Sequence, residues 1–219
     1  MNADILLYDG FDELDAIGPY EVFDYALDYA TDGPAGADAG RGGETARPGR
    51  VRYVTLDERE SVTASHGTRV GVDGVVPEPD AADAPDLLVV PGGGWSARDE
   101  TAGAWAEAQR GDVPRALAAH HAAGTRIAAV CTGAMLLAAA GVTDGRRATT
   151  HAAAVDELRE SGADVADARV VDDGDLLSAG GVTSGIDLAL YVVEREFGTD
   201  VADRVAAVTE YERRYETAA

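Results

Sequence analysis

The sequence predicts a three-layer α/β fold with a mostly parallel sheet, and three observations carry this prediction. Short apolar runs of the kind that form buried parallel strands recur along the 219 residues. Segments with helical periodicity separate them, and no segment repeats. One apolar run, Ile127 to Val130, ends abruptly at Cys131, and a helix-type run begins at once with Gly133 close behind. Strand, single nucleophile and helix in immediate succession is the layout of a nucleophile elbow.

The N-terminal half is assigned from its apolar runs and its turn residues. Pro19 is suited to the first turn of a helix, which places Asp9 to Pro19 in a turn-rich loop. The segment at about 31–50 is rich in Gly, Ala, Asp and Pro, which predicts a flexible surface loop. The predicted elements are a strand at Asp4–Tyr8, a helix at Tyr20–Tyr29, a strand at Arg52–Leu56, short strands or a hairpin at Ser61–Val76, and a buried strand at Asp86–Val90.

The C-terminal half continues the alternation. Thr101 to Ala123 predicts one long helix, or two joined near Pro114. After the elbow come two short strands within Asp167–Ser178, a strongly apolar helix entered through Gly180 and Gly181, and an amphipathic last helix at Val201–Tyr215. Asp187 lies in the apolar helix, where a charged residue predicts burial, hydrogen bonds to backbone and a structural role.

Cys131 is the first candidate for chemistry, and it is the only cysteine. At a strand-to-helix turn its side chain faces the helix N-terminus, whose unpaired N–H groups favour a thiolate. A reactive thiol with a lowered pKa is therefore expected. The alternative is a small buried hydrophobe, which is the commonest role of a lone cysteine.

Three further residues are candidates to serve that thiol. Asp15 lies between apolar neighbours beyond the first strand, an unfavourable place for a purely solvating charge. Gly93 follows a buried strand, so its N–H could form half of an oxyanion hole facing Cys131. His151 could pair with Cys131, or could equally cap a helix. No metal site is expected, because the four histidines and one cysteine lack ligand spacing, and no cofactor motif is present.

The charge of the chain is its most unusual compositional feature. Forty acidic residues stand against eighteen basic ones, a formal charge of −22, and every basic residue is an arginine. The acids are spread along the chain, which predicts a solvated acidic surface typical of a protein from a salt-loving cytoplasm. Nucleic-acid binding is disfavoured because no basic patch interrupts the acidity.

Hydropathy and length restrict the class of protein further. No apolar run approaches the roughly 18 residues of a membrane span, and acidic residues around the first strand argue against a signal peptide. We therefore expect a single domain over residues 1–219, cytoplasmic and without a membrane partner.

Five ordered motifs resemble the ThiJ/PfpI superfamily across nearly the whole chain, and most closely its isocyanide hydratase branch. They are Leu14-Asp15-x-x-Gly18-Pro19, Pro91-Gly-Gly93, Ala129-Val-Cys131-Thr-Gly-Ala134, Ala148-Thr-Thr-His151 and Gly185-Ile-Asp187-Leu-Ala. The resemblance implies a flavodoxin-like sandwich, usually a homodimer, that acts on a small molecule with Cys131 as nucleophile and Asp15 as its acidic partner. Thr132 stands where the protease branch has histidine, which marks the hydratase-like branch and argues against a peptidase.

The resemblance leaves three functions to compare. The first is hydration of an isocyanide to an N-formamide, with Gly93 and Thr132 positioning the substrate. The second is glyoxalase- or amidase-like chemistry on carbonyl compounds, using His151. The third is a non-enzymatic redox or stress response through oxidation of Cys131.

Overall fold

The computed structural model describes residues 1–32, 47–214 and 217–218. The predicted flexible loop at about 31–50 falls largely on residues 33–46, which lie outside the described residues. At its borders the first helix continues to Asp32 and the second strand begins at Arg50.

Eight strands form one sheet, and the order across it is β12-β10-β11-β7-β6-β1-β2-β5. All neighbouring pairs are parallel except β10 and β11. The described strands are β1 Asn2–Leu6, β2 Arg50–Thr55, β3 Ser61–Thr63, β4 Arg69–Gly71, β5 Gly74–Val75, β6 Leu87–Val90, β7 Arg126–Val130, β8 Arg147–Ala148, β9 Asp164–Val165, β10 Val170–Asp173, β11 Leu176–Ala179 and β12 Thr217–Ala218. β3 and β4 form a separate antiparallel hairpin, and β8 pairs with β9.

The helices form two groups that cover the sheet. Helices α1, α6 and α7 pack against one another, and α2, α3 and α4 pack together as a second group that α5 joins through α4. They are α1 Glu13–Asp32, α2 Ala104–Arg110, α3 Asp112–Ala122, α4 Gly133–Ala139, α5 Val155–Glu160, α6 Ser184–Phe197 and α7 Thr199–Val208. The predicted three-layer fold with a mostly parallel sheet is therefore confirmed.

Helix boundaries differ from the prediction at three places. Helix α1 begins at Glu13 rather than after Pro19, so Asp15 lies in a first helical turn and not in a loop. Pro19 is tolerated inside α1 because only the one carbonyl four residues earlier, that of Asp15, loses its N–H donor. The region Thr101 to Ala123 is two helices, broken at Gly111 in the left-handed conformation rather than at Pro114. The last helix ends at Val208 and residues 209–214 are not helical, whereas the predicted end at Tyr215 lies outside the described residues.

Two acidic residues are fully buried away from the elbow, and both have arginine partners. Asp4 lies within β1 and accepts two hydrogen bonds from the opposite Arg52, at 2.8 and 2.9 Å. Asp187 pairs with Arg169 and also accepts hydrogen bonds from the Tyr211 hydroxyl and the Arg214 N–H, each at 3.0 Å. The predicted burial of Asp187 is confirmed, and its partners are a guanidinium and a phenol as well as backbone.

No helix in the described part of the chain is long and apolar enough to cross a membrane.

Candidate active site

The site lies where the carboxyl ends of four neighbouring strands meet. In the sheet register Val90 is opposite Ala129, and Val130 is opposite Ala179. The loops that leave β1, β6, β7 and β11 therefore converge at one edge of the sheet, which is where open α/β sheets bind ligands.

Cys131 occupies the elbow between β7 and α4, and its backbone is strained. Its φ is +57°, a left-handed conformation that residues other than glycine seldom adopt and that recurs at functional sites. Its N–H donates to Ala179 and Gly180 at 3.1 and 3.0 Å, and its carbonyl accepts from the Thr150 hydroxyl at 2.8 Å. These three bonds hold the turn, and the side chain is 6% exposed.

Glycine is required immediately after the elbow. A Cβ on Gly133 would lie 2.1 Å from the Val90 carbonyl oxygen, so a side chain there would drive α4 off the neighbouring strand. The expectation that Gly133 permits close packing of helix and sheet agrees with this geometry.

Asp15 is brought to Cys131 by the first turn of α1. Its carboxyl is fully buried, and Oδ2 accepts a hydrogen bond from the Gly92 N–H at 2.9 Å. Oδ1 has no hydrogen-bond partner among the described residues. The carboxyl and the thiol are close enough for each to shift the pKa of the other. A buried carboxyl oxygen without a partner, next to a thiol, makes this pair the candidate for proton transfer in the site.

Burial dominates the proton affinity of both groups. Desolvation, followed by the charge of Asp12, raises the pKa of Asp15 from 3.8 to about 8, against the lowering effect of the Gly92 N–H and the thiol. Desolvation and then the charge of Asp15 raise the pKa of Cys131 to about 12, although backbone hydrogen bonds from Val182 and Thr132 act in the opposite direction. The expected lowering of the thiol pKa by the helix N-terminus is wrong, because desolvation outweighs the backbone donors.

Gly93 does not present a free donor to Cys131. Its N–H donates to Thr132 Oγ1 at 2.9 Å, which removes it from the predicted oxyanion hole. The same contact turns Thr132 into the available donor, because its hydroxyl accepts from Gly93 and its own proton has no acceptor in the described ranges. Gly93 thus orients Thr132, and the two predicted residues do lie together beside the elbow.

His151 is placed as a cap. Its Nδ1 accepts from the Ala153 N–H at 3.1 Å at the start of a 3-10 turn, Ala152–Ala154, that leads into α5. Its ring packs against Gly181, where an added Cβ would lie 2.5 Å from Cδ2. No hydrogen bond or charge interaction joins His151 to Cys131 within the described residues. Of the two roles the sequence left open, the geometry favours the structural one.

Two contributors to the site were missed by the sequence analysis because they act through the backbone. The Gly92 N–H binds Asp15, and Val182, after the Gly180-Gly181 pair, turns its backbone toward the thiol. Val182 has φ +43°, an outlier for a β-branched residue. In the sequence, the glycine runs at 92–94 and 180–181 indicate loops whose backbone could contribute to the site. Neither run indicates which N–H group would face Cys131.

Fold and site together define a flavodoxin-like α/β protein with a cysteine at its nucleophile elbow and a buried carboxyl beside it. The chain belongs to the DJ-1/PfpI family, whose family model matches residues 1–195. The isonitrile hydratase of Pseudomonas putida is 46% identical over 85 residues, which cover 39% of this chain and only 37% of the hydratase. A deglycase of Thermococcus kodakarensis is 33% identical over 134 residues, or 60% of this chain and 74% of that protein.

Solved structures agree on the fold. A THiJ/PfpI family protein from Pseudomonas syringae superposes with a TM-score of 0.77 at 24% identity, covering 97% of this chain and 76% of that one. At this identity the likeness establishes architecture and carries no information on the substrate.

Proposed function

We propose that this protein hydrates isocyanides to N-formamides, with Cys131 as nucleophile and Asp15 as the group that moves the proton. The observation that carries the proposal is the buried Asp15–Cys131 pair, in which Asp15 Oδ1 has no partner in the described structure. The partial identity to an isonitrile hydratase supports it.

The reaction needs one proton to be moved twice. When the pair has lost one proton, Asp15 takes the thiol proton and Cys131 attacks the terminal carbon of R–N≡C. Asp15 then gives that proton to the same carbon, which forms the thioimidate R–N=CH–S–Cys131. Thr132 is positioned to donate a hydrogen bond to the developing negative charge.

The second half of the reaction adds water. Asp15, again a carboxylate, accepts a proton from the water that attacks the thioimidate carbon. Asp15 passes that proton to the nitrogen, which gives R–NH–CH(OH)–S–Cys131. Collapse of this adduct forms the C=O bond, breaks the C–S bond, returns the hydroxyl proton to the pair and releases R–NH–CHO. The sum is isocyanide plus water to formamide, with no redox change and no other reactant.

The two alternative functions are less well supported by the same geometry. Carbonyl chemistry with a Cys–His pair is favoured by the deglycase relative, but His151 is engaged in capping. Susceptibility to oxidation follows thiolate character and exposure, and this thiol is buried with a raised pKa.

The test is product analysis in high salt with a simple alkyl and a simple aryl isocyanide. The wild-type protein is expected to form the matching formamide, Cys131→Ala to form none, and His151→Ala to retain most of the activity. Protein that is inert toward isocyanides but consumes methylglyoxal, and loses that activity in His151→Ala, would replace the proposal with the carbonyl alternative.

A further inference from the structure

We propose that Tyr8 is a positioning residue of this site: its hydroxyl holds and polarises the Pro91–Gly92 peptide, whose N–H donates to Asp15, and so sets how readily Asp15 releases its proton. The structural part of this inference does not depend on the substrate. Only its consequence for turnover rests on the proposed function.

The geometry is a chain of two hydrogen bonds through one peptide unit. The Tyr8 hydroxyl donates to the Pro91 carbonyl at 2.6 Å, and the N–H of the same peptide bond, on Gly92, donates to Asp15 Oδ2 at 2.9 Å. The C=O and the N–H of a trans peptide point in opposite directions within one plane, so the two bonds extend from opposite edges of one rigid unit. Hydrogen bonds linked in this way polarise and strengthen one another.

Tyr8 is suited to permanent donation. It is 4% exposed, at the end of the chain segment that continues β1. Desolvation, then the charges of Asp15 and Cys131, raise its pKa well above the usual value, so the phenol keeps its proton wherever Asp15 titrates. Because the phenol keeps its proton in this range, its O–H can donate to the Pro91 carbonyl throughout the titration of Asp15.

The next peptide of the loop, Gly92–Gly93, is also hydrogen-bonded at both its carbonyl and its N–H, which indicates that the loop is held in one conformation. The Gly92 carbonyl accepts from the Asp12 N–H at 2.8 Å, while the Gly93 N–H donates to Thr132 Oγ1. A Cβ on Gly92 would lie 2.4 Å from the Thr132 nitrogen, so the loop packs directly against the backbone of the elbow. Of the two loop carbonyls, that of Gly92 is held by a backbone N–H and that of Pro91 by a side chain, Tyr8.

The electrostatic direction follows from the groups around Asp15. Burial and the charge of Asp12 favour its protonated form, whereas the Gly92 N–H and the Cys131 thiol favour the carboxylate. Glu107 adds negative charge on the side of Tyr8. Removing the phenol hydroxyl weakens one of the two contacts that favour the carboxylate, so Asp15 should hold its proton to higher pH.

Infrared difference titration in Tyr8→Phe tests this directly. The C=O stretch of protonated Asp15 is identified by its absence in Asp15→Asn and followed from pH 6 to 10. In Tyr8→Phe the midpoint should move upward by about 0.1–0.7 pH units, from 10–30% weakening of a hydrogen bond to a charged group. Tyr53→Phe, which removes the hydroxyl of a half-buried tyrosine stacked on Tyr20, should leave the midpoint unchanged.

A second variant keeps the test decisive if Tyr8→Phe does not fold. 3-Fluorotyrosine at position 8 alone is a stronger donor of the same shape, and it should move the midpoint downward. An unchanged midpoint in the folded Tyr8→Phe or in the fluorotyrosine protein overturns the inference. If isocyanides are substrates, the pH profile of kcat should move by the same amount with KM unchanged; absence of turnover would contradict the proposed function and leave the infrared result standing.

Discussion

At the scale of single residues, the site depends on keeping a carboxyl and a thiol neutral together in a dry place. Burial raises the pKa of each, and the remaining donors come from backbone N–H groups of Gly92, Thr132 and Val182. Neither group alone is unusual in a core. As a pair, the carboxyl and the thiol both remain protonated at neutral pH, and Asp15 loses its proton only near pH 8.

Asp15→Asn should therefore change how stability depends on pH. The folded-state pKa of Asp15, about 8, lies above its ordinary 3.8, so its contribution is fully present below pH 3.8 and is lost as pH rises to 8. The unfolding free energy of wild type relative to Asp15→Asn should fall by several kcal/mol, at most about 5, between pH 4 and 8.5. Urea unfolding of both proteins measures it.

Asp80→Asn is the matched control, because Asp80 is exposed. The unfolding free energy of Asp80→Asn should change with pH in parallel with that of wild type across the same pH range. Parallel curves for Asp15→Asn as well would mean that Asp15 is ionised in the folded protein at neutral pH.

At the scale of elements, the geometry of the elbow is set by the packing of α4 against the sheet as well as by the chemistry of Cys131. Helix α4 starts so close to the end of β6 that only glycine fits at position 133. Three hydrogen bonds to the backbone of Cys131 then hold a conformation that its side chain disfavours.

Gly133→Ala should show this directly. Its Cβ would meet the Val90 carbonyl oxygen at 2.1 Å, and relief requires α4 to move, so we expect a loss of about 3 kcal/mol or more in unfolding free energy. Gly71→Ala in β4, where an added Cβ meets nothing within 4 Å, should cost less than about 1 kcal/mol. Similar values for the two variants by chemical denaturation would show that the elbow tolerates a side chain.

The elements were predictable to the extent that local sequence encodes them. The strand before Cys131 and the helix after it follow from apolar runs and small residues. The start of α1 was missed because Gly18-Pro19 is locally typical of a turn that precedes a helix. In the fold, Gly18 packs against Ile186 of α6, and the helix continues through both residues. The partner of the Gly93 N–H and the raised thiol pKa depend on residues distant in sequence, which no local pattern encodes.

At the scale of the whole molecule, the balance of charge is the dominant feature. With a formal charge of −22, the acidic side chains repel one another across the folded molecule. Ion pairs offset this repulsion only locally, as at Arg52, Arg126, Arg146 and Arg169. Stability should therefore depend on ionic strength more than is usual for a protein of this size.

The melting temperature should increase markedly from dilute buffer to about 1 M KCl, where the Debye length is about 3 Å. Sucrose at equal osmolality controls for exclusion of solute from the surface, and should stabilise less. A melting temperature that is independent of salt would remove the inference of a salt-adapted protein.

The central claim is that Asp15 and Cys131 act as one proton-sharing unit, and the pH profile of isocyanide hydration by wild type and Asp15→Asn tests it most directly. In wild type kcat/KM should rise through an apparent pKa of about 8, as the pair loses the first of its two protons. Asp15→Asn should be slower by about 10²–10⁴-fold, the usual contribution of general acid–base catalysis, and should lack that rise. Full activity in Asp15→Asn, or the same rise near pH 8 in that variant, would contradict the claim.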